Sequence, residues 1–345
     1  MSPHQPMTTA LWLQQTAAAL LPLAGMDVAI SDVRLEARRL LGDVLDITPT
    51  ALQMRLNDVL SHAELALLTD ALQRRLQGEP LAYITGRWWF WDLELEVAPC
   101  TLIPRPDTEL LVEQALALPL PLDAKVLDLG TGTGAIALAL AHNRPHWQLT
   151  AVDLQAEAVA LAQRNAQTLQ LSNVHFTVSS WFSALADQQY DLIVSNPPFF
   201  PNHLKSPDPK RNLALHNDTL SFEELASGII SLFHPLSEFW AILPPVQMEE
   251  LEKLMVSKGL RIHTRTFIKD NPAKNILRVI LGFSFLNHAM YSKDISIKDK
   301  NGNYSSAISV VSFGFFNRIG HVNTRLLGKN IRHVHQFKNH VRSVR

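Results

Sequence analysis

The feature that most constrains this chain is an apolar strand pattern that runs directly into a glycine-rich turn. Residues 125–129 read Lys-Val-Leu-Asp-Leu, residues 130–134 read Gly-Thr-Gly-Thr-Gly, and an alanine-rich helix is predicted from Ala135 to Asn143. Glycine at alternate positions lets the backbone turn sharply and lets a ligand approach without a Cβ in the way. The free N–H groups at the start of the helix then face an anionic group. The loop predicts a ligand site, although by itself it also fits a structural turn or a dinucleotide enzyme.

Strand and helix patterns alternate after residue 125, which predicts a parallel sheet with helices on both faces. The predicted strands are 125–129, 149–153, 174–178, 190–194, 239–243, 261–268 and 276–285. Asp153 ends the second strand, 19 residues past Gly134. This is the spacing at which an acidic side chain accepts both hydroxyls of a ribose. The pattern therefore predicts a seven-stranded α/β sheet with a ribose site at its carboxyl edge.

A second motif, Asn196-Pro197-Pro198-Phe199, follows the fourth predicted strand and is the more specific of the two. The two prolines freeze the loop and remove two backbone donors, so its carbonyl groups only accept hydrogen bonds. The Asn196 side-chain oxygen and the Pro197 carbonyl are predicted to accept both hydrogens of a planar –NH2 group, on which Phe199 stacks. A neutral amide nitrogen is a poor nucleophile, so positioning and polarisation must supply the rate.

Residues 1–88 contain helical patterns only, with apolar residues at three- and four-residue spacing. Ser31, Thr48 and Ser61 are the predicted N-caps, and Ser61 begins a capping-box pattern. The segment is either a packing appendage or a docking module for a macromolecular substrate, and the residues alone leave both open. The aromatic run at residues 88–91 then begins a predicted strand pair, where its tryptophans are expected to join two domains.

The composition of the chain argues against several kinds of partner and site. The net charge of −1 gives no global attraction to nucleic acid or membrane. The single cysteine, Cys100, excludes a disulfide framework, and the histidines show no ligand spacing beyond His333-x-His335, so no metal site is predicted. No 18-residue apolar run exists and no lysine or arginine precedes Arg34, so neither a membrane span nor a signal peptide is expected. We therefore expect a soluble, cytoplasmic protein.

Together these residues resemble the class I S-adenosylmethionine-dependent methyltransferases that modify planar amino groups. From about residue 34 to residue 199 the chain resembles more closely the HemK-type protein-(glutamine-N5) methyltransferases, which act on peptide chain release factors. The stretches that carry the resemblance are Gly78–Tyr83, Thr101–Glu109, Gly130–Gly134, Asp153, Trp181-Phe182 and Asn196–Phe199. The resemblance implies a Rossmann-like, seven-stranded α/β methyltransferase domain, preceded by a small all-helical domain that holds the release factor.

The resemblance also implies roles for individual residues. The residues implied for S-adenosyl-L-methionine are Gly130, Thr131, Gly132, Thr133 and Gly134 at the methionine part, Asp153 at the ribose, Trp181 at the adenine, and Asn196. Those implied for the glutamine amide of a GGQ motif are Asn196, Pro197, Pro198 and Phe199, with Asn196, Pro197 and Phe199 as the catalytic group. Two departures stand out: Ser180 replaces the usual acid before the tryptophan, and Phe199 replaces the usual tyrosine.

Beyond residue 199 the chain stops resembling that family. The stretches Leu204–Ser206, Asn212–His216, Leu220–Leu225, Pro272–Phe283 and Tyr291–Tyr304 resemble instead the tRNA (adenine-N6) methyltransferases. Composition steps at the same point, because residues 1–198 hold one lysine and 28 alanines and residues 199–345 hold eleven lysines and six alanines. We therefore hypothesise a composite of two methyltransferases with a marginally stable core; uniform codon usage across codons 190–205 of the source DNA would contradict it.

The predicted organisation is a helical docking domain at 1–88, a strand-pair linker at 89–108, a methyltransferase domain at 109–288 and a partly disordered basic tail at 289–345. The predicted function is methyl transfer to glutamine N5 of peptide chain release factors. The alternatives are N6-methylation of a tRNA adenine and a non-catalytic composite. Glutamine is favoured because the docking surface selects a macromolecule, and residues 1–88 are of the release-factor type. No membrane or metal partner is expected.

Overall fold

The computed structural model describes residues 6–23, 32–185, 188–197 and 221–300. The predicted contributions of Pro198 and Phe199, the adenine-type motifs at 204–216 and the tail from residue 301 lie outside the described residues. Within the described ranges, no helix is long and apolar enough to span a membrane.

Helices form the described N-terminal part of the chain. They are α1 Thr9–Leu20, a short 3-10 helix Leu21–Leu23, α2 Val33–Val44, α3 Pro49–Met54, α4 His62–Leu76 and α5 Leu81–Thr85. The N-caps predicted at Thr48 and Ser61 are confirmed, the latter as a complete capping box. The residue predicted as the third cap, Ser31, lies outside the described residues. The N-cap of α2 is Asp32, whose Oδ1 accepts from the N–H of Arg34 at 2.9 Å.

Trp88 joins the helices to the sheet that follows. It lies in β1 Arg87–Phe90, which pairs antiparallel with β2 Leu93–Glu96. Trp88 and Phe90 share the buried face of β1, but Trp88 packs in the core of the helices and Phe90 packs in the core of the sheet. The Trp88 indole also donates to the Pro104 carbonyl at 3.1 Å. Strand β1 thus contributes one aromatic side chain to each core, and the prediction that the aromatic run joins two domains stays a prediction.

The described strands after residue 124 form one mixed sheet in the order β10-β8-β9-β7-β6-β3-β4-β5. They are β3 Lys125–Leu129, β4 Gln148–Asp153, β5 Val174–Val178, β6 Tyr190–Ser195, β7 Phe233–Leu243, β8 Arg261–Lys269, β9 Ile276–Ser284 and β10 Tyr291–Ser296. Strands β3 to β7 pair in parallel, whereas β9 runs antiparallel to β7 and β8. The predicted Rossmann-like methyltransferase fold behind a helical domain is confirmed, with one strand more than the seven expected.

The additional strand, β10, lies inside the segment that the sequence predicts as a tail. It pairs in parallel with β8 from Tyr291 to Ser296. Among its residues only Ile295 is buried, because β10 lies at the edge of the sheet. An edge strand needs little apolar alternation, which is why the sequence pattern does not reveal it. The sheet therefore extends past the limit predicted at residue 288.

Helices cover both faces of the sheet. On one face lie α6 Pro106–Leu116, α7 Ala135–Asn143 and α8 Ala156–Thr168, and on the other lie α9 Phe222–Ser231 and α10 Pro245–Ser257. Neighbouring strand residues serve opposite faces: Val126 packs with α6, α7 and α8, whereas Leu127 packs with α9 and α10. Burial on both faces explains why the central strands are almost wholly apolar. The core on this second face therefore contains strand residues from before position 199 and helices from after it, which are the two parts of the hypothesised composite.

Helix α6 begins at Pro106. Its N-cap is Arg105, whose side chain makes no cap hydrogen bond, so neither Asp107 nor Thr108 caps this helix. Proline is favoured at this position because its missing N–H has no partner to lose and its φ is preset. Asp107 lies instead in the first turn, where a carboxylate complements the helix dipole.

Candidate active site

The glycine loop between β3 and α7 has a backbone that favours glycine. Gly130, Gly132 and Gly134 have φ values of 76°, 54° and 84°. A Cβ at Gly134 would lie 3.0 Å from Leu138 Cδ1, so glycine at this position lets α7 begin close against the loop. A Cβ at Gly132 would have the Thr101 Cβ as its neighbour, at 3.9 Å. The loop therefore leaves room over Gly132 for a ligand.

Asp153, the predicted ribose acceptor, also holds the loop in place. It ends β4, its Oδ2 accepts from the Gly132 N–H at 2.9 Å, and its Oδ1 accepts from the Gln155 N–H at 3.0 Å. Each carboxylate oxygen has two lone pairs, so each keeps the capacity to accept from a further donor such as a hydroxyl. The spacing argument does not predict these backbone contacts. Asp153 is thus placed both to shape the loop and to meet a ligand over it.

Asp128 is a buried acid to which the sequence assigns no role. It lies in β3, where its Oδ2 accepts from the Thr131 hydroxyl at 2.7 Å and from the Ala137 N–H at 3.2 Å. Burial raises the pKa of Asp128 to about 7, and the two hydrogen bonds oppose this rise. Its Oδ1 has no hydrogen-bond partner among the described residues. An acid inside an otherwise apolar strand is the signal that could have identified it.

Asn196 lies at the same edge of the sheet as the glycine loop. It follows β6, which pairs with β3, and Ser195 Oγ donates to the Leu129 carbonyl at 2.8 Å. The Asn196 side chain is half-buried, and its Nδ2 donates to Thr108 Oγ1 at 3.2 Å. The next residue, Pro197, is buried. The first turn of α6 therefore orients the amide that the sequence predicts to hold the acceptor group.

Behind Thr108 lies a buried charged pair. The Thr108 hydroxyl donates to Asp107 Oδ1 at 3.2 Å, and Asp107 Oδ2 lies 3.6 Å from Nε of Arg278 in β9. The three residues are between 4% and 9% exposed. Burial lowers the pKa of Arg278, and the neighbouring Asp107 charge opposes this fall. Sequence reasoning misses this cluster because Arg278 lies far along the chain from Asp107 and Thr108.

The segment 101–105 connects the helices to the glycine loop. The Tyr83 hydroxyl of α5 donates to the Thr101 carbonyl at 2.7 Å. Thr101 itself is buried, and its Cβ is the neighbour of Gly132 described above. Thr101 is therefore hydrogen-bonded to α5 and lies beside the glycine loop.

Trp181, the predicted adenine neighbour, follows β5 with a left-handed φ of 52°. β5 pairs with β4 so that Val178 lies opposite Asp153, which brings Trp181 to the same edge of the sheet. The Trp181 indole packs against the core beneath α9 and α10, and Ser180 is exposed. The glycine loop, Asp153, Trp181 and Asn196 thus share one edge. Within the described ranges, no cluster of three His, Cys, Asp or Glu residues could hold a metal ion.

Two family models match parts of the chain: residues 12–86 match the PrmC N-terminal domain and residues 106–213 match the methyltransferase small domain. The release factor glutamine methyltransferase of Salmonella typhimurium is 60% identical over 132 residues, which cover 38% of this chain and 48% of the relative. That of Pseudomonas aeruginosa is 53% identical over 182 residues, which cover 50% of this chain and 65% of the relative. That of Escherichia coli is 55% identical over 132 residues, which cover 38% and 48%.

The chain therefore spans about half to two thirds of the length of these relatives, between 48% and 65%. The matched regions include the helical part and the strands that carry the glycine loop and Asn196. The resemblance to the HemK-type family that the motifs predict is confirmed.

Proposed function

We propose that this chain, whose N-terminal part is of the HemK type, transfers a methyl group from S-adenosyl-L-methionine to the side-chain amide nitrogen of a glutamine in peptide chain release factors. The observation that carries the proposal is the Asn196 amide, oriented by Thr108 at the same edge of the sheet as the glycine loop. The relatives named above are release factor glutamine methyltransferases, which favours glutamine over a tRNA adenine as the acceptor.

The described residues fit S-adenosylmethionine. The room over Gly132 would take the methionine part, and the N–H groups at the start of α7 would bind its carboxylate. Asp153 keeps lone pairs for the ribose hydroxyls, and Trp181 borders the adenine. When bound, the cofactor supplies a methyl group on a positively charged sulfur. The same fit holds for either acceptor, so it supports the reaction class rather than the substrate.

Asn196 and Pro197 supply the acceptors for the substrate amide. The two N–H bonds of a glutamine side chain point in different directions, one toward Asn196 Oδ1 and one toward the Pro197 carbonyl. With both hydrogens held, the nitrogen is fixed with its lone pair toward the methyl group. Rate enhancement then comes from positioning and polarisation, and the proton leaves the nitrogen during or after transfer. In this proposal Pro198 keeps the loop rigid and Phe199 stacks on the planar amide of the substrate.

Substrate choice falls to the helices before residue 88. They dock the release factor, and the Tyr83 contact with Thr101 couples their position to the loop. Attraction to RNA phosphates would bind without orienting one –NH2 group, and orientation is what transfer requires. We place this activity in the cytoplasm, where release factors meet the ribosome.

Incubation of the full chain with methyl-labelled S-adenosylmethionine and either a release factor or tRNA tests the proposal. We expect label on glutamine N5 of the release factor. Asn196→Ala should abolish transfer while calorimetry shows cofactor binding retained, because the Asn196 oxygen is needed most in the transition state. Label in tRNA adenine with none in the release factor would overturn the choice of substrate. Absence of cofactor binding would instead favour the non-catalytic composite.

A further inference from the structure

Arg278, Asp107 and Thr108 form a buried series that ends on Asn196. Methyl transfer as described above uses only the contact of Thr108 with Asn196 and gives Asp107 and Arg278 no role. We propose that these three residues determine which edge of the Asn196 amide faces the substrate. Thr108, Asp107 and Arg278 are then positioning residues for the transfer. The inference rests on the proposed function, since it concerns how Asn196 holds the acceptor nitrogen.

An asparagine side chain has two edges of nearly the same shape and opposite chemistry. One edge is an oxygen that accepts hydrogen bonds, and the other is an NH2 group that donates them. A glutamine –NH2 group donates, so Asn196 must present its oxygen to it. If the Asn196 amide turned over, two NH2 groups would face each other and no hydrogen bond would form. A neighbouring group therefore has to fix the orientation.

Thr108 fixes the orientation of the Asn196 amide. Its hydroxyl has one proton, which it donates to Asp107 Oδ1 at 3.2 Å. Because that proton is committed, the Thr108 oxygen meets Asn196 as an acceptor, and Asn196 Nδ2 donates to it at 3.2 Å. The oxygen of the Asn196 amide then points away from Thr108. A carboxylate only accepts hydrogen bonds, so Asp107 sets the direction of both hydrogen bonds, from Thr108 to Asp107 and from Asn196 to Thr108.

Arg278 makes it possible for a carboxylate to occupy this position. Asp107 is only 6% exposed, and an unpaired buried charge is strongly destabilising. Arg278 Nε lies 3.6 Å from the Asp107 Oδ2, on the opposite oxygen from the one that meets Thr108. The first turn of α6 adds favourable dipole interactions with the same carboxylate. The orientation of Asn196 thus depends on β9, a strand from beyond position 199.

Two substitutions at one position separate orientation from packing. Thr108→Val keeps the branched shape and removes the hydroxyl, whereas Thr108→Ser keeps the hydroxyl and removes a methyl group. We expect Thr108→Val to lower kcat roughly tenfold, which is the rate equivalent of losing one hydrogen bond within the site. The KM for release factor and the cofactor Kd should stay unchanged, and Thr108→Ser should behave as the parent protein.

Thr266→Val is the matched control. Thr266 is also fully buried and also donates to α6, since its hydroxyl meets Gln114 Oε1 at 3.0 Å. It has no described hydrogen bond to Asn196, so its loss removes a comparable hydrogen bond without affecting the amide. We expect kcat to stay unchanged in Thr266→Val. A fall equal to that of Thr108→Val would mean that α6 packing, not orientation, controls the rate, and would overturn the inference.

A second readout does not depend on activity. In protein labelled with 15N at asparagine, the side-chain NH2 signal of Asn196 is identified by its loss in Asn196→Ala. We expect this signal to shift in Thr108→Val and to stay in place in Thr108→Ser and Thr266→Val. An unchanged signal in Thr108→Val would overturn the inference. If Thr108→Val shows the expected shift but the parent protein transfers no methyl group to release factor, the proposed function fails while the orientation by Thr108 stands.

Discussion

Three aspartates near one edge of the sheet show how strongly the surroundings determine what a carboxylate does. Asp153 is half-buried and receives two backbone N–H groups. Asp128 is fully buried without a charged partner in the described contacts, and its pKa rises to about 7. Asp107 is buried beside Arg278. Desolvation, hydrogen bonding and a neighbouring opposite charge therefore act on the same functional group within one site.

Asp153→Ala tests the ribose contact. We expect the cofactor Kd to rise about tenfold or more, because hydrogen bonds to a charged group contribute roughly 1.5–3 kcal/mol each. The Gly132 N–H also loses its acceptor, which loosens the loop in the same direction. Calorimetry with S-adenosylmethionine measures the change, with Asp123→Ala, an exposed acid before β3, as the control. Equal affinity in Asp153→Ala and the parent protein would remove Asp153 from the ribose role.

Asp128→Asn tests the buried acid through the pH dependence of stability. The pKa of Asp128 is about 7 in the folded protein, against a reference value of 3.8. Between these values the folded state holds a proton that the unfolded state has lost. The free energy of unfolding therefore falls as pH rises through this window, by at most about 1.4 kcal/mol per pH unit, and levels off above it.

Urea denaturation between pH 4 and pH 8 compares the two proteins. The unfolding free energy of Asp128→Asn minus that of the parent should grow with pH up to the folded pKa of about 7 and then stay constant. Parallel curves across the whole range would show that Asp128 does not titrate in the folded protein as described.

At the scale of helices and strands, the sequence predicts the central strands well, because they are buried on both faces. It predicts poorly the edge strand and the contacts between residues that lie far apart along the chain. Strands β3 to β6 match their predicted ranges to within one residue, because two covered faces make them continuously apolar. Periodicity does not predict β10, because an edge strand carries little apolar signal. Only the resemblance of Tyr291–Tyr304 to the closing strands of the adenine-type family covers it. In the site, the glycine loop and Asn196 are local motifs. The contacts of Asn196 with Thr108 and of Asp107 with Arg278 form only after α6, β6 and β9 assemble.

Gly228 tests how closely α9 packs on the segment after β5. A Cβ at Gly228 would lie 2.1 Å from Phe182 Cε2. Alanine gains about 1 kcal/mol over glycine in a helix, but overpacking costs typically about 1–3 kcal/mol. We expect Gly228→Ala to destabilise the protein and to stabilise it in a Phe182→Ala background, where the ring is gone. Denaturant unfolding of the four proteins measures this, and the same sign in both backgrounds would contradict the described contact.

At the scale of the whole molecule, the proposal assigns docking to the helices before residue 88 and chemistry to the sheet, and the Tyr83 hydroxyl links the two parts by its hydrogen bond to the Thr101 carbonyl. Removing residues 1–85 tests this division and leaves β1 intact, since β1 begins at Arg87. We expect transfer to the whole release factor to be lost and cofactor binding to persist, because the glycine loop and Asp153 are retained. A short GGQ peptide needs no docking surface, so the shortened and full proteins should methylate it at equal rates. Retained preference for the whole release factor would contradict docking by these helices.

The division of the sheet's two faces also has a consequence for synthesis on the ribosome. The chain emerges from its N-terminus, so β3, β4, β6 and the glycine loop leave the exit tunnel before α9 and α10 exist. Until then Leu127, Leu129 and Ile193, all fully buried in the finished protein, have no covering helix on that face. Exposed apolar strands of this kind are prone to aggregation. Nascent chains arrested so that β6 has left the exit tunnel and α9 has not should therefore be cut by protease and bound by chaperones, and the released full-length chain should not.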